Sequence, residues 1–297
     1  MKRVLITGAS GMLGATLVKL WSNKYNIFAT SRSNFSDNTA KKYKIFDLKS
    51  KNYEDLVEWA KPDIIVHCAA ITNVDYCENN PEEAMIINGE SVKKLLEFAP
   101  NSKLIFISTD AVFPCQTHLA NENSTTGPEN NYGKSKEYGE NFIKKSLKNN
   151  CIVRTTIVGK NINIYKQGFV EWIINSIRRG DLITLFNDVF FTPISIWHLV
   201  DELEWVMNNA VPMILHVSGS ESTTKYEFGY RLCKKMGLNT SLIKIGSIND
   251  IKFKAKRAKD QTLDSSLYIS LSKRKLPNFE NNIKILIKYF GEVYEKF

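Results

Sequence analysis

The sequence predicts an α/β protein, a doubly wound parallel sheet followed by a smaller C-terminal substrate-binding region. Three observations carry this. The apolar strand Arg3–Thr7 runs into a glycine-rich turn and then into helical periodicity over residues 12–23. Strand-like runs recur at 26–30, 43–46, 63–68, 103–108 and 151–154, with helical patterns between most of them, and strand-helix-strand repetition implies parallel pairing. The chain has 297 residues, 43% of them hydrophobic, about twice the usual length of one ~150-residue domain.

The first turn is chemical as well as structural. Thr7-Gly8-Ala9-Ser10-Gly11-Met12-Leu13-Gly14 spaces its glycines three and three between strand and helix. A phosphate at a helix N-terminus needs backbone N–H groups that no Cβ obstructs, and the last glycine lets helix and strand pack closely. Gly8, Ser10, Gly11, Met12, Leu13 and Gly14 are therefore the expected dinucleotide-binding loop. The competing reading is a tight turn with incidental glycines.

Cofactor choice is normally decided after the second strand, where a carboxylate would accept from the 2′-hydroxyl of NAD. Here the chain reads Ala29-Thr30-Ser31-Arg32-Ser33. Ser31 and Arg32 suit a 2′-phosphate through charge-assisted hydrogen bonds, which points to NADP(H), with a solvated loop cation as the alternative for Arg32. Asp47 and Leu48, after the third strand, are placed to hold the adenine amine.

The next strong helix start lies near Glu82, with Asn80 as N-cap, Pro81 at the first helical position and acidic residues in the first turn. Downstream, Ile107-Ser108-Thr109-Asp110 closes the fifth strand, and Tyr132-Gly133-Lys134-Ser135-Lys136 sets Tyr and Lys on one helix face. A Lys ammonium beside a phenol favours phenolate and lowers the Tyr pKa from about 10, making Tyr132 a better proton donor near neutrality. Such pairs also occur by chance on exposed helices. The weight comes from their place after a dinucleotide loop and beside Thr109.

Past residue 159 the rhythm loosens, and aromatic segments at 169–174 and 188–193 suggest a substrate-covering region. The expected division is a cofactor domain over 1–158, to which about 190–217 returns, and a substrate region over about 159–189 and 218–297.

Composition excludes several classes. Net charge is +9, but the dense basic run spans only residues 252–259 and reads as solvated surface, which disfavours a nucleic-acid partner. The longest uncharged apolar stretch, 64–71, is far short of the ~18 residues of a membrane span. Cys68, Cys77, Cys115, Cys151 and Cys233 form an odd, scattered set without a CxxC pair, which argues against a disulfide framework or a metal site and fits a reducing cytoplasm.

These motifs together resemble the extended short-chain dehydrogenase/reductases, a Rossmann-fold family marked by GxxGxxG, a Ser/Thr after the fifth strand and YxxxK. Within it the chain is most similar to the dTDP-4-dehydrorhamnose reductases. That likeness rests on Ala69-Ala70-Ile71-Thr72-Asn73-Val74-Asp75, Ser108-Thr109-Asp110-Ala111-Val112-Phe113, the Tyr132 segment and Arg154-Thr155, and it thins toward the C-terminus. Ile157 stands where the family tends to have Trp, and Arg257-Ala258 where it has Arg-Pro.

The resemblance implies NADPH-dependent reduction of the 4-keto group of a nucleotide-linked 6-deoxyhexose. Tyr132 would protonate the oxygen, Lys136 would bond the nicotinamide ribose and support Tyr132, and Thr109 would hold the carbonyl. Ala69 and Ala70 would border the cofactor, Thr72 and Val74 would line the sugar pocket, and Arg257 would meet the substrate pyrophosphate. Ala111, where related dehydratases carry Glu, and Asp110, where epimerase-reductases carry Cys, leave reduction as the remaining chemistry. The alternative is a catalytically silent NADP-binding regulatory subunit. Expected partners are the nucleotide sugar and, at most, a second copy in a homodimer, with no membrane and no nucleic acid.

Overall fold

The computed structural model describes residues 1–34, 40–50, 52–146 and 149–291. The strands β1 (Arg3–Thr7), β2 (Asn26–Ser31), β3 (Tyr43–Ile45), β4 (Ile64–His67), β5 (Lys103–Thr109) and β6 (Cys151–Thr155) follow the expected runs within a residue or two. Then come β7 (Ile157–Val158), β8 (Ile183–Phe186), β9 (Phe190–Phe191) and β10 (Ile194–Ser195) before the chain returns as β11 (Ile214–His216). The central sheet has seven strands in the order β11-β6-β5-β4-β1-β2-β3, all parallel. The strand order reverses beside β1, which pairs with β2 on one side and β4 on the other. Ligands of doubly wound sheets bind outside the carboxyl ends at such a switch point.

Side chains alternate across this sheet with the period of two that an extended strand imposes. Val4 and Ile6 face one layer, packing with Leu13, Leu17 and Trp21 of α1 (Met12–Trp21). Leu5 faces the other, with Phe28, Ile65 and Phe106 and with Leu56 of α2 (Tyr53–Ala60). Both faces are covered, so β1 reads as a continuous apolar run rather than an alternating one.

After α3 (Val74–Asn79), the helix predicted near Glu82 starts at Pro81 as α4 (Pro81–Ala84), but Asn80 does not cap it with its side chain. Its Nδ2 instead donates to the Tyr76 carbonyl at 3.0 Å, closing α3. The helix then passes through a π turn, Met85–Glu90, into α5 (Ser91–Phe98). The turn carries the buried Asn88, whose side chain takes the Ile71 N–H at 2.7 Å and donates to the Ile71 carbonyl at 3.0 Å and to Ser135 Oγ at 2.9 Å. Asn88 thereby ties the segment after β4 to α6 (Asn131–Lys144), the kind of local device for which π turns recur at functional sites.

The C-terminal part packs α7 (Phe169–Arg179), α8 (Ile196–Asn208), α9 (Lys225–Lys235) and, after α10 (Ser266–Ser272), α11 (Phe279–Gly291) around Phe191, Phe228 and Ile283. Three small sheets brace it: β12 (Thr223–Thr224) with β9 and β14 (Asp260–Gln261), β13 (Ile243–Gly246) with β8, and β10 with β7. The dense basic run is less solvated than its composition suggests. Lys256 meets Glu129 at 2.7 Å, Arg257 meets Asp75 at 2.7 Å and Lys259 meets Asp188 at 3.5 Å, so the run is laced to the body of the protein. The five cysteines are free thiols. Among the described residues no helix is long and apolar enough to cross a membrane.

Candidate active site

The glycine turn forms a cradle at the carboxyl end of β1. Gly8 has φ +69°, and a Cβ there would lie 2.7 Å from the Ala69 backbone. At Gly14 a Cβ would lie 2.3 Å from the Gly8 carbonyl oxygen. Gly11 precedes α1 with no side-chain cap, which leaves the first-turn N–H groups of Met12 and Leu13 for a ligand. That arrangement fits a diphosphate of a dinucleotide. Ser10 is half-buried and its hydroxyl receives Lys166 Nζ at 3.2 Å.

Around the cradle, Ser31 ends β2 and is buried, donating to the Ser33 carbonyl at 2.8 Å, while Arg32 is exposed beside it. Asp47 accepts from the Lys49 N–H at 2.9 Å, and Leu48 is buried against the sheet. Ala69 and Ala70 follow β4, half-buried, with the Ala69 N–H donating to Thr7 Oγ1 at 3.3 Å.

Thr109 ends β5, and its hydroxyl is the hub of the next cluster. It donates to Asp110 Oδ1 at 2.9 Å and accepts from the Ala111 N–H at 3.2 Å, and it lies near enough to the Tyr132 phenol to oppose the rise in that group's pKa. Tyr132 stands in the first turn of α6, which Asn130 caps by accepting from the Gly133 N–H at 2.9 Å. Gly133 is obligatory here, since a Cβ would lie 2.2 Å from the Ala111 carbonyl oxygen. Tyr132 is thus pressed against the residues that follow Thr109.

Lys136 lies one turn further along and is buried, its Nζ 3.9 Å from the centre of the Phe106 ring. Burial lowers its pKa to about 7, against the opposing pull of Glu140 and Cys68. The expected lowering of the Tyr132 pKa by Lys136 is not what the structure has. Burial raises the phenol above its ordinary value, the neighbouring Thr109 hydroxyl opposes this, and the Asp110 carboxylate reinforces it. The two side chains share a helix face, yet the ammonium turns toward Phe106 and the sheet.

Asp110, singled out in the sequence only for what it excludes, is central to the site. Besides Thr109 it accepts from Thr156 Oγ1 at 2.5 Å and Gln261 Nε2 at 3.4 Å. Burial raises its pKa, partly offset by Thr156, Thr109 and Lys225. Nothing in local periodicity marks Thr156, Gln261 or Lys225, which reach Asp110 from distant parts of the chain.

Thr109, Asp110 and Tyr132 open onto a cavity of about 770 Å³ whose walls also include Phe169, Lys225 and Arg257. Val74 lines it, whereas Thr72 is exposed and outside its lining. Arg257 lines it while held by Asp75. Among the described residues no group of three or more His, Cys, Asp or Glu could hold a metal ion.

A parallel sheet with a glycine cradle at its switch point and a hydroxyl cluster beside a deep cleft defines a Rossmann-like α/β protein. The chain belongs to the RmlD substrate binding domain family, which matches residues 1–291. It is 27% identical to the probable low-salt glycan biosynthesis reductase Agl14 of Haloferax volcanii, over 88% of this chain and 89% of that protein. It is 28% identical to methionine adenosyltransferase 2 subunit beta of Danio rerio, over 81% of this chain and 76% of that one. Its fold matches the crystal structure of dTDP-4-dehydrorhamnose reductase from Bacillus anthracis in complex with NADP, with TM-score 0.86, 25% identity, and 97% and 99% of the two chains covered.

Proposed function

We propose that the protein is an NADPH-dependent reductase of the extended short-chain dehydrogenase/reductase type, acting on the 4-keto group of a nucleotide-linked 4-keto-6-deoxyhexose. The observation that carries the reading is that Thr109 and Tyr132 share the wall of the 770 Å³ cavity, at the same sheet edge as the glycine cradle. The similarity to a reductase crystallised with NADP supports it.

On this reading NADPH, when bound, supplies the hydride. The backbone of Gly11, Met12, Leu13 and Gly14 holds its diphosphate, with Ser10 alongside. Ser31 and Arg32 select the 2′-phosphate, Asp47 and Leu48 border the adenine, and Ala69 and Ala70 floor the groove. Tyr132 gives its proton to the keto oxygen, and Thr109 hydrogen-bonds that oxygen and keeps the phenol oriented. Lys136 serves the nicotinamide ribose. Val74 faces the sugar, and Arg257 the pyrophosphate. The cofactor domain comprises 1–158 with 190–217, and the substrate region the remainder.

The similarity to methionine adenosyltransferase 2 subunit beta favours a second reading, a catalytically silent NADP-binding regulatory subunit. NADPH oxidation followed at 340 nm against dTDP-, UDP-, GDP- and CDP-linked 4-keto-6-deoxyhexoses separates the two. Turnover with one sugar supports the reductase. NADPH binding without turnover on any of them favours the regulatory subunit.

A further inference from the structure

Lys225 is the first residue of α9, after the N-cap Thr224, whose hydroxyl accepts from the Glu227 N–H at 3.0 Å. The place is costly for a cation. A helix N-terminus carries partial positive charge, which disfavours an ammonium in the first turn. The side chain also turns inward, with Nζ 3.5 Å from the centre of the Phe191 ring and 4.7 Å from that of Phe169. Burial lowers its pKa to about 8, so the ammonium stays charged at neutral pH.

Among the described residues, no other cation on this cavity wall is in that position. Arg179 is held by Asp181 at 2.7 Å and Arg257 by Asp75 at 2.7 Å. Lys225 Nζ has aromatic faces on one side and no hydrogen bond or ion pair among the described residues. Its charge partner is Asp110, whose carboxylate already accepts from Thr109, Thr156 and Gln261. A desolvated ammonium with spare donors, facing a cleft, is a site for an acceptor oxygen.

We propose that Lys225 is a specificity-determining residue whose ammonium donates to the hydroxyl on the hexose carbon flanking the carbonyl that faces Tyr132. This rests on the nucleotide-sugar reading above. The keto end, rather than the diphosphate, follows from the placement of Asp110. Asp110 accepts from Thr109, and Thr109, Asp110, Tyr132 and Lys225 line the same cavity, so Lys225 serves the end of the ring where Tyr132 acts. In a 4-keto hexose the nucleotide leaves from the anomeric carbon at the opposite end of the pyranose. Aromatic rings beside a charged donor also suit the mixed apolar and hydroxylated surface of a sugar.

The test is calorimetric titration of dTDP and UDP, each against its glucose conjugate, with NADP⁺ present, on the wild type and on Lys225→Met, Lys225→Gln and Lys225→Arg. The wild type should bind one conjugate more tightly than its parent diphosphate. Lys225→Met and Lys225→Gln should lose roughly 10- to 100-fold for that conjugate, as expected for a hydrogen bond to a charged group, with the parent unchanged and Lys225→Arg intermediate. NADPH fluorescence titration reports whether each variant is folded. Equal losses for conjugate and parent would place Lys225 on the diphosphate and overturn the proposal. So would unchanged affinities, or a wild type that gains nothing from the sugar. A chain that binds as expected but never oxidises NADPH with a keto sugar would overturn the reductase reading and leave the Lys225 contact standing.

Discussion

Arg154 grips Glu140 through two hydrogen bonds, Nε to Oε1 at 2.9 Å and Nη2 to Oε2 at 2.6 Å, with both side chains buried. The pair joins β6 to α6, the helix that presents Tyr132 and Lys136. Ser108 adds a third hydrogen bond to Glu140 at 2.7 Å. Burial pushes the Glu140 carboxyl up, but Arg154 and Ser108 outweigh it and hold it below its usual range. The helix that carries Tyr132 is thus fixed to the sheet by a bidentate charged contact rather than by apolar packing alone.

Arg154→Met leaves that buried carboxylate with only Ser108 and Lys144, the latter 3.3 Å away, and should cost about 3–5 kcal/mol in urea unfolding. The double variant Arg154→Met with Glu140→Leu should recover most of the loss. A single-variant cost under about 1 kcal/mol would show that the pair does not anchor α6.

His67 gives acid sensitivity. Its Nδ1 lies 2.7 Å from Thr7 Oγ1 and its Nε2 3.0 Å from Ser91 Oγ, and Ser91 donates onward to the Ile87 carbonyl at 2.6 Å. That network assigns the proton to Nε2. Burial, with Lys136 nearby, lowers the His67 pKa to about 3, and His216 is lowered to about 4. An unfolded histidine titrates near 6.5, so below that pH the unfolded chain binds protons the folded one refuses. Stability should be complete above about pH 6.5 and fall toward pH 3. The Tm of His67→Gln should fall less steeply over this window. An identical slope would rule His67 out as a source.

Gly14→Ala places a methyl group 2.3 Å from the Gly8 carbonyl oxygen, a backbone atom with no freedom to yield. The cradle should distort, with about 1–3 kcal/mol of stability lost and weaker NADPH binding by fluorescence titration. Wild-type affinity would mean that the cradle does not hold the diphosphate.

Tyr132→Phe removes only the phenol hydroxyl on the cavity wall it shares with Thr109. Turnover should drop roughly 100- to 10,000-fold, the range for loss of a general acid, while NADPH affinity holds. Residual turnover near wild type would move the proton donor elsewhere in the cavity.

Arg32→Ala should weaken NADPH about tenfold or more and leave NADH nearly unchanged, because only NADPH carries the 2′-phosphate. Equal losses for both cofactors would remove Arg32 from that contact.

Much of this protein is legible in its sequence. The short apolar strands, the glycine spacing and the Tyr132 to Lys136 step are local signals, set by backbone sterics and helical repeat, and they placed β1 through β6 and the site edge. Two readings of local chemistry failed for the same reason. Asn80 turned its side chain back to Tyr76, and Lys136 turned toward Phe106, because each had a competing partner outside the window in which the motif was read. The basic run near Arg257 likewise found carboxylates on Asp75, Glu129 and Asp188. The sequence by itself determined the strands, the glycine cradle and the Tyr132 to Lys136 step, since those follow from neighbours a few residues apart. Only the tertiary structure decided that Asp110 gathers Thr156, Gln261 and Lys225, and that Arg154 locks Glu140, because burial and charge pairing act through space between residues that the chain order keeps far apart.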